Sequence, residues 1–517
     1  MANKTLFQTI FGGLIPATDT VNSEKAPAYA LSPKQALAQY AATGCFNRTF
    51  YASAEDQLER VLELCQAVGP EFVSQVAIYS RQNSYMKDMP ALLCAWLSAR
   101  SPRLHEAVFA QVIDNAKMLR TYVQIMRSGV VGRKSLGSAP KRLVRDWMAS
   151  RDEESLFRSS AGQDPSFADI LKMVHPAPAS ERREAFYGYM LGRACDQAKL
   201  PELVQQYQRF KDGDSGELPD VPFTMLSALP LSRQDWAVIA TRASWQTTRM
   251  NLNTFARHGV FEVPGVAEIV ASRLSDAGEI ARARVFPYQL LIAYTNCDQA
   301  VPRIVRDALQ DAMELAVAHV PVIEGKVFVC PDVSGSMKSP VTGTRRGATT
   351  AVQCIDVAAL VAASILRKNP SAEVLPFEQT VVRMDLNPRN SILSNARRLA
   401  SIGGGGTSCS APVTLLNGRN AHGDLIIVVS DNESWVDGGR GRGTALMAAW
   451  QKFRQRNPNA KLVCLDIQPN RTTQASERED ILNIGGFSDQ VFEVISAFAA
   501  GDLNGDHWIG RIQAVAV

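Results

Sequence analysis

A short loop after an apolar strand carries three oxygen-bearing side chains at alternating positions. The run Lys326-Val-Phe-Val-Cys-Pro-Asp-Val-Ser-Gly-Ser336 places Asp332, Ser334 and Ser336 directly after a predicted strand. A turn that leaves a strand can aim one carboxylate and two hydroxyls at a single point. Such hard ligands suit Mg²⁺, the expected ion, and also Mn²⁺ or Ca²⁺. The alternative is that Asp332 and Ser334 only cap a helix.

Two further oxygen ligands occur where a parallel sheet could deliver them. Thr407 follows the four glycines at 403–406, and Asp431 closes the apolar run at 425–430. Sites in open α/β sheets form at the carboxyl ends of strands, so we expect both residues to join the loop. Helix capping would require neither of them, and the combination therefore favours a metal site.

Together these segments resemble a von Willebrand factor A domain with a metal-ion-dependent adhesion site. The resemblance covers about residues 324–517. It implies that the metal is held, directly or through water, by Asp332, Ser334, Ser336, Thr407 and Asp431.

Alternating strands and helices are predicted after Pro321. Strands are expected near 326–331, 372–377, 425–430, 461–467 and 490–495, and helices over 350–366 and 443–456. Alternation of this kind predicts a parallel, doubly wound α/β sheet.

Residues 33–320 show a different pattern, with helical periodicity and almost no strand-like runs. Leu143 and Trp147, for example, have the i, i+4 spacing of a buried helical face. Many short helices without one long core suggest helix pairs stacked as a solenoid. We therefore predict a helical-repeat domain over 1–322 and an A domain over 323–517.

Composition is that of an ordinary globular protein. The 517 residues exceed what one core usually serves, and 46% are hydrophobic against 21% charged. Nine cysteines without metal spacing or a disulfide framework fit a reducing cytosol, so a cytoplasmic location is expected. No run of 18 apolar residues is present, so no membrane span is expected. An amino-terminal arm is expected to pack through Leu6, Phe7, Ile10 and Phe11.

Eight basic residues follow one another without an intervening acid until Asp146: Lys117, Arg120, Arg127, Arg133, Lys134, Lys141, Arg142 and Arg145. Such clusters favour binding to phosphate backbones, because binding releases counterions from the nucleic acid, and the affinity is therefore sensitive to salt. The alternative is a solvated face of a helix pair. Charge alone does not decide between RNA, DNA and an acidic protein as the ligand.

A single histidine follows this stretch at the end of a predicted helix, where Pro176 closes the run. In that position His175 would ordinarily interact with the last helical carbonyls. Alternatively, its imidazole could stack on an unpaired RNA base. Arg158 and Lys172 are the nearest basic candidates for the same surface.

Three segments occur in a recognisable order: Gly132-Arg-Lys134, Lys-Arg-Leu-Val-Arg-Asp-Trp147 and Phe-Ala-Asp-Ile-Leu-Lys-Met-Val-His-Pro176. They resemble the RNA-binding module of the Ro ribonucleoprotein family, called TROVE after telomerase, Ro and vault proteins. Met-Lys-Asp-Met-Pro90 and Trp-Gln-Thr-Thr-Arg-Met-Asn-Leu-Asn253 are similar to further segments of it. The order of TROVE followed by an A domain is the one that the family uses.

This second resemblance implies a monomeric ring of HEAT-like helical repeats that the A domain closes. Such rings bind single-stranded 3′ ends of misfolded non-coding RNA in the central hole and a Y RNA on the outer basic surface. An exoribonuclease such as polynucleotide phosphorylase is a further implied partner. The acidic run after Arg151 departs from the lysine-rich animal sequences, which leaves Arg158, Lys172 and His175 as candidates near it.

The sequence thus favours a non-catalytic RNA-binding scaffold in non-coding RNA quality control or processing. It has no clustered carboxylates for two metals and no histidine pair, so nothing resembles a nuclease. One alternative is an adaptor whose metal captures an acidic residue of a protein partner. A second is a metal-dependent hydrolase, for which Glu433 and His422 are the sequence-near candidates for a base.

Overall fold

The computed structural model contains helices through most of the chain and one five-stranded parallel sheet near the carboxyl end. The described residues are 15–44, 46–162, 164–214, 216–283, 285, 287–317, 320–344, 352–436, 443–486, 488–502 and 507–517. The predicted arm with Leu6, Phe7, Ile10 and Phe11 lies outside them. Among the described residues, none of the helices combines the length and the apolar character needed to cross a bilayer.

The chain forms two compact units. The sheet unit comprises the described residues of Met1–Met89, Arg284–Asn296 and Gln310–Ala516, and the helical unit comprises those of Pro90–Ala283 and Cys297–Leu309. The segment before residue 90 therefore packs in the unit that contains the sheet. The domain boundary expected between residues 322 and 323 stays a prediction.

Short helices follow one another up to residue 316, as the periodicity predicted. The α-helices of this part are α1 (Pro33–Thr43), α2 (Ala54–Val68), α3 (Pro70–Gln82), α4 (Asp88–Leu97), α5 (Pro102–Val112), α6 (Ala116–Ser128), α7 (Ser138–Ala149), α8 (Glu153–Ser159), α9 (Phe167–Val174), α10 (Glu181–Met190), α11 (Glu202–Asp212), α12 (Phe223–Leu226), α13 (Arg233–Arg242), α14 (Trp245–Arg257), α15 (Val266–Leu274), α16 (Ala277–Ala283), α17 (Pro287–Thr295) and α18 (Arg303–Ala316). Short 3₁₀ turns occur at Gln197–Lys199 and Val260–Glu262.

Serine caps determine where several of these helices begin. Ser53, Ser166 and Ser232 each accept a hydrogen bond from the amide three residues later. The aspartate at that third position bonds back to the serine amide, which completes a capping box. Two amides that the helix itself leaves without partners are satisfied in this way.

The large sheet contains five parallel strands in the order β4-β3-β5-β6-β8. Its strands are β3 (Val327–Pro331), β4 (Glu373–Val374), β5 (Leu425–Ser430), β6 (Lys461–Asp466) and β8 (Ile481–Gly485). The helices of this part are α19 (Cys354–Lys368), α20 (Ile392–Ala400), α21 (Ala411–Gly418), α22 (Ala445–Arg456), α23 (Asp489–Ala500) and α24 (His507–Gln513). The predicted doubly wound α/β sheet is confirmed.

Helices cover both faces of this sheet. On one face, Phe328 and Ile426 belong to a core with Trp450 and Phe453 of α22. On the other, α19 packs against β3 and β5. Every residue of β3 and β5 is therefore buried, which explains why these strands are continuous apolar runs in the sequence.

One predicted strand is wrong. Residues 490–495 lie in helix α23, and the fifth strand is β8 instead. The segment from Val491 to Ile495 is rich in β-branched and aromatic residues, which favours a strand. In the structure, however, the buried residues Val494 and Phe498 are four positions apart, as on one face of a helix. The strand predicted at 372–377 is confined to β4, although Phe377 still bridges to the residue after β3.

A small antiparallel sheet joins the amino-terminal segment to the rest of the sheet unit. It consists of β1 (Thr20–Val21), β2 (Pro27–Ala30) and β7 (Thr472–Thr473), in the order β1-β2-β7. Helix α1 then packs against β8, and the amide of Gln39 donates to Asp466 at 2.9 Å. The helical pattern with almost no strand-like runs was predicted for residues 33–320, and β1 and β2, which precede that range, were not predicted.

Candidate metal and nucleic-acid sites

The Asp-x-Ser-x-Ser loop begins where β3 ends and is held by its neighbours on both sides. The amide of Asp332 donates to the Val429 carbonyl at 2.8 Å, and the amide of Val333 donates to the Phe377 carbonyl at 2.8 Å. The amide of Gly335 donates to the Gly405 carbonyl at 2.9 Å, which brings the glycine-rich segment to the loop. The carboxyl ends of the central strands thereby deliver the predicted residues to one place.

The five predicted metal ligands meet in one buried cluster. The hydroxyl of Thr407 donates to that of Ser334 at 2.9 Å, and the hydroxyls of Ser334 and Ser336 are 3.3 Å apart. The carboxylate of Asp332 accepts from the Ser334 amide at 2.8 Å, and Ser336 hydrogen-bonds Asp431. All five residues are at most 8% exposed. The spacing-based prediction of a shared site thus corresponds to a real cluster of side chains.

Two of these buried groups are carboxyls whose negative charges repel each other. Burial raises the pKa of Asp332 to about 7, and the nearby charge of Asp431 adds to this shift. Burial likewise raises the pKa of Asp431. The Oδ1 atom of Asp431 is buried and has no hydrogen-bond partner among the described residues. A divalent cation would give that oxygen a partner and offset the repulsion, so the residues present fit the group.

The cluster depends on hydroxyls as much as on carboxylates. In the described part of the chain, no group of three or more His, Cys, Asp or Glu side chains offers a different metal site. Two carboxylates and three hydroxyls form an oxygen-only set, which favours Mg²⁺, Mn²⁺ or Ca²⁺ over softer ions.

Several residues around the cluster were missed by sequence reasoning. Ser430 donates to Asp332 Oδ2 at 2.6 Å, the hydroxyl of Tyr51 hydrogen-bonds Ser336, and the amide of Asn470 donates to the Asp431 carbonyl at 2.5 Å. Ser430 ends the β5 run and could have been inferred from its position. The other two come from distant segments and leave no local signal.

The two proposed hydrolase bases differ in their placement relative to the loop. Glu433 accepts hydrogen bonds from the amide and hydroxyl of Ser23 at 2.8 and 3.1 Å, and burial raises its pKa to about 7. His422 precedes β5, whereas the loop lies at the opposite end of that strand. These positions disfavour the hydrolase alternative.

The basic stretch is distributed over α6, α7 and the turn between them. Helix α9 packs against both α6 and α7, so Lys172 and His175 lie near the same helices. The apolar face of α6, with Met118 and Tyr122, is buried. The charged side chains therefore divide between the helix junctions and the solvent face.

Five of the predicted RNA-binding arginines are engaged in contacts within the protein. Arg120 donates to the Ser159 carbonyl at 3.0 Å, Arg133 to the Ser98 carbonyl at 2.7 Å and Arg145 to the Val174 carbonyl at 2.5 Å. Arg142 pairs with Glu106 at 2.8 Å and Asp146 at 3.6 Å, and Arg158 pairs with Asp220 at 3.1 Å. These guanidinium groups hold helices and loops together.

The other five cations form no ion pair with the described residues: Lys117, Arg127, Lys134, Lys141 and Lys172. All are exposed except Lys141, which is half-buried. Arg127 and Lys172 both help to lower the pKa of Asp169, after its hydrogen bonds with Ser166. Arg127 lies on α6 and Lys172 on α9, and these two helices pack against each other.

His175 caps α9 with its backbone and not with its side chain. It adopts a left-handed conformation, with φ of 47°, and its amide donates to the Leu171 carbonyl at 3.0 Å. The exposed imidazole lines a cleft of about 630 Å³ together with Lys172 and Arg193. Glu181, which pairs with Lys199 at 2.8 Å, also lines this cleft.

Comparison with known proteins concerns the A domain first. The family model described as the Ro60 vWA domain matches residues 326–499, the range that contains the oxygen cluster. Residues 326–499 are thus similar to the A domain of Ro60 proteins. This range follows a helical part, as the sequence resemblance predicted.

Full-length relatives extend the likeness beyond the A domain. A Deinococcus radiodurans protein named RNA-binding protein RO60 is 25% identical, over 92% of this chain and 94% of its own length. A Caenorhabditis elegans protein of the same name is 22% identical, over 60% of this chain and 50% of its own. The crystal structure of the Deinococcus radiodurans RO (RSR) protein matches with a TM-score of 0.59 at 22% identity, covering 91% of this chain and 100% of that one. The predicted Ro resemblance and fold class are thereby confirmed.

Proposed function

We propose that this chain is a non-catalytic RNA-binding protein of the Ro type. It takes single-stranded 3′ ends of misfolded non-coding RNA and a Y-type RNA, and it acts as a scaffold in RNA quality control or processing, with an exoribonuclease as a partner. The observation that carries the proposal is the cleft that Lys172 and the exposed His175 line together, with the exposed Arg127 on α6, the helix that packs against α9. The names of the two relatives support RNA as the ligand class.

The chemistry of this surface suits single-stranded RNA. Cations without ion pairs release phosphate counterions on binding, whereas ion-paired arginines must first lose a carboxylate partner. An exposed imidazole can stack on an unpaired base, which a duplex would keep inside its helix. The combination of Arg127 and Lys172 with His175 therefore favours an unpaired end over a blunt duplex.

The direct test is an electrophoretic mobility shift with two RNAs that share one duplex. One carries a single-stranded 3′ tail and the other is blunt. The tailed RNA should bind more tightly, and its advantage should shrink as salt is raised. Equal affinity for both RNAs would contradict the proposal.

A bound Mg²⁺ belongs to the same proposal, held by Asp332, Ser334, Ser336, Thr407 and Asp431. When bound, the ion supplies positive charge and a coordination position that can accept a carboxylate from outside. The five residues would hold the ion from the protein side, and each of them is at most 8% exposed. A cytoplasmic location is proposed as well, since none of the eight cysteines in the described chain takes part in a disulfide.

A second candidate function is a protein-binding adaptor that uses this metal. The observation in its favour is an exposed apolar rim: Trp435 is 46% and Val436 40% exposed, and both amides donate to the Thr407 carbonyl at 3.1 Å. Exposed aromatic side chains beside a polar site are typical of protein interfaces. Binding of a labelled acidic peptide that is lost in EDTA and weakened by Trp435→Ala would support this function; insensitivity to EDTA would exclude it.

A further inference from the structure

A second cleft lies beside the metal cluster, within the sheet unit. Its volume is about 560 Å³, in the range of small-ligand sites. Segments far apart in the chain form its wall: the amino-terminal hairpin, helices α1 and α2, and the turn before β7. We call it the arginine cleft after two of its lining residues, Arg60 and Arg471.

The arginine cleft shares part of its wall with the metal cluster. Tyr51 lines the cleft, and its hydroxyl hydrogen-bonds Ser336. Asn470 also lines it, and its amide donates to the Asp431 carbonyl at 2.5 Å. A ligand in the cleft would therefore lie next to the residues that hold the ion.

Both arginines have donor capacity left for an anion. The Nε atom of Arg60 is buried and has no hydrogen-bond partner in the described residues, although its Nη1 atom reaches Glu63 at 3.0 Å. Arg471 is exposed, forms no ion pair in the described part of the chain, and hydrogen-bonds the Tyr40 hydroxyl. A buried donor without a partner is costly unless a ligand satisfies it.

The acids of the cleft are already engaged and limit the kind of anion that fits. Asp56 accepts from the amide and hydroxyl of Ser53, and Glu433 accepts from Ser23. One carboxylate of a ligand can therefore reach the arginines without displacing an internal acid. A chain with a phosphate at every residue would instead bring several negative charges against Asp56 and Glu433, which disfavours RNA here.

We propose that the arginine cleft binds an acidic side chain of a protein partner, with Arg60 and Arg471 as its anchors. The inference deepens the adaptor function and rests on it for the class of partner. It adds a second anchoring point beside the metal and names the residues that form it. Charge-assisted hydrogen bonds from two guanidinium groups suit a carboxylate in geometry and in charge.

Fluorescence anisotropy on the full chain can test this with a labelled Gly-Gly-Asp-Gly-Gly peptide, which carries a single acidic side chain, as the probe. Arg471→Ala and Arg60→Ala should each weaken binding about ten- to hundredfold, because each removes a hydrogen bond to a charged group. Arg383→Ala, which changes an exposed arginine elsewhere in the sheet unit, is the matched control and should leave binding unchanged. Arg471→Lys should keep part of the affinity, and thermal melting checks that each variant is folded.

Three outcomes would overturn the proposal: equal binding of the peptide with asparagine in place of its aspartate, unchanged binding by both alanine variants, or displacement of the peptide by an oligouridine whose affinity depends on Arg471. Removal of the metal distinguishes the adaptor function from the arginine-cleft proposal. If EDTA and Asp332→Ala abolish binding while the arginine variants do not weaken it, the adaptor function stands and the cleft is excluded. If only the arginine variants weaken it, the cleft stands and the metal adaptor falls.

Discussion

The metal loop and the basic stretch are both prominent in the sequence, yet the fold brings the residues of only the first together at one site. The three loop residues, Thr407 and Asp431 all reach one buried cluster. The eight bases that run from Lys117 to Arg145 do not gather in one place. Four of them bond to other parts of the protein: Arg120, Arg133, Arg142 and Arg145.

The difference follows from what each pattern specifies. Residues at the carboxyl ends of adjacent parallel strands share an edge of the sheet whatever their exact rotamers. Residues along a helix point around its axis, so neighbours in sequence face different surroundings. Ligand residues that follow parallel strands therefore predict a shared position in space. A run of charged residues on helices predicts only the local composition.

Removal of the central carboxylate should have the largest effect on this contrast. Asp332→Ala should weaken Mg²⁺ or Mn²⁺ binding by more than about a hundredfold, because a buried ligand is lost, and RNA affinity should stay within about twofold. Isothermal titration with metal and a mobility shift with RNA measure the two effects, with the exposed Asp385→Ala as the control. Unchanged metal affinity would show that the cluster is not the metal site.

Acid should destabilise the protein through His105, which is buried near Arg133. Burial, and then the charge of Arg133, lower the pKa of His105 to about 4. Its folded pKa lies below the unfolded value, so the stability it contributes is complete above about pH 6.5 and is lost as the pH falls. Wild type should lose about 2–3 kcal/mol more unfolding free energy than His105→Gln between about pH 7 and 4.5. Urea unfolding measures this; parallel pH profiles would contradict it.

The role of His175 separates RNA contact from helix capping. Since the backbone amide makes the cap, His175→Asn should keep the left-handed conformation and the melting temperature. The loss of a stacking partner should reduce RNA affinity by about 1–3 kcal/mol, and His175→Tyr should restore most of it. A mobility shift with tailed RNA, paired with thermal melting, gives both values. A fall in melting temperature at full RNA affinity would favour the structural role.

Two double variants can test whether RNA contacts the cations without ion pairs or the ion-paired arginines. Arg127→Ala with Lys172→Ala removes cations without ion pairs, and the slope of log affinity against log salt should shrink by about 1.4–1.8. Arg142→Ala with Arg158→Ala removes ion-paired arginines and should change that slope by less than half as much. If the second variant has the larger effect, the RNA lies on the surface of the paired arginines.

Much of the A domain could be predicted from local pattern. The strands expected at 326–331, 425–430 and 461–467 differ from β3, β5 and β6 by a residue at most at either end. Strands buried on both faces are continuous apolar runs, so few alternatives fit them. The error at 490–495 arose because a short apolar run without a longer window does not distinguish strand from helix.

The sequence by itself determined the residue types and spacing of the Asp332 loop, the helical character up to residue 316 and the alternation after it. Each of these is encoded within a few residues, through hydrogen-bonding chemistry or periodicity. Only the tertiary structure decided that Tyr51 and Asn470 reach the metal cluster and that Arg60 and Arg471 line the same cleft. Likewise, the pairing of Arg142 with Glu106 joins residues that lie 36 positions apart. Such contacts depend on how distant segments pack, and packing leaves no mark in the residues on either side of them.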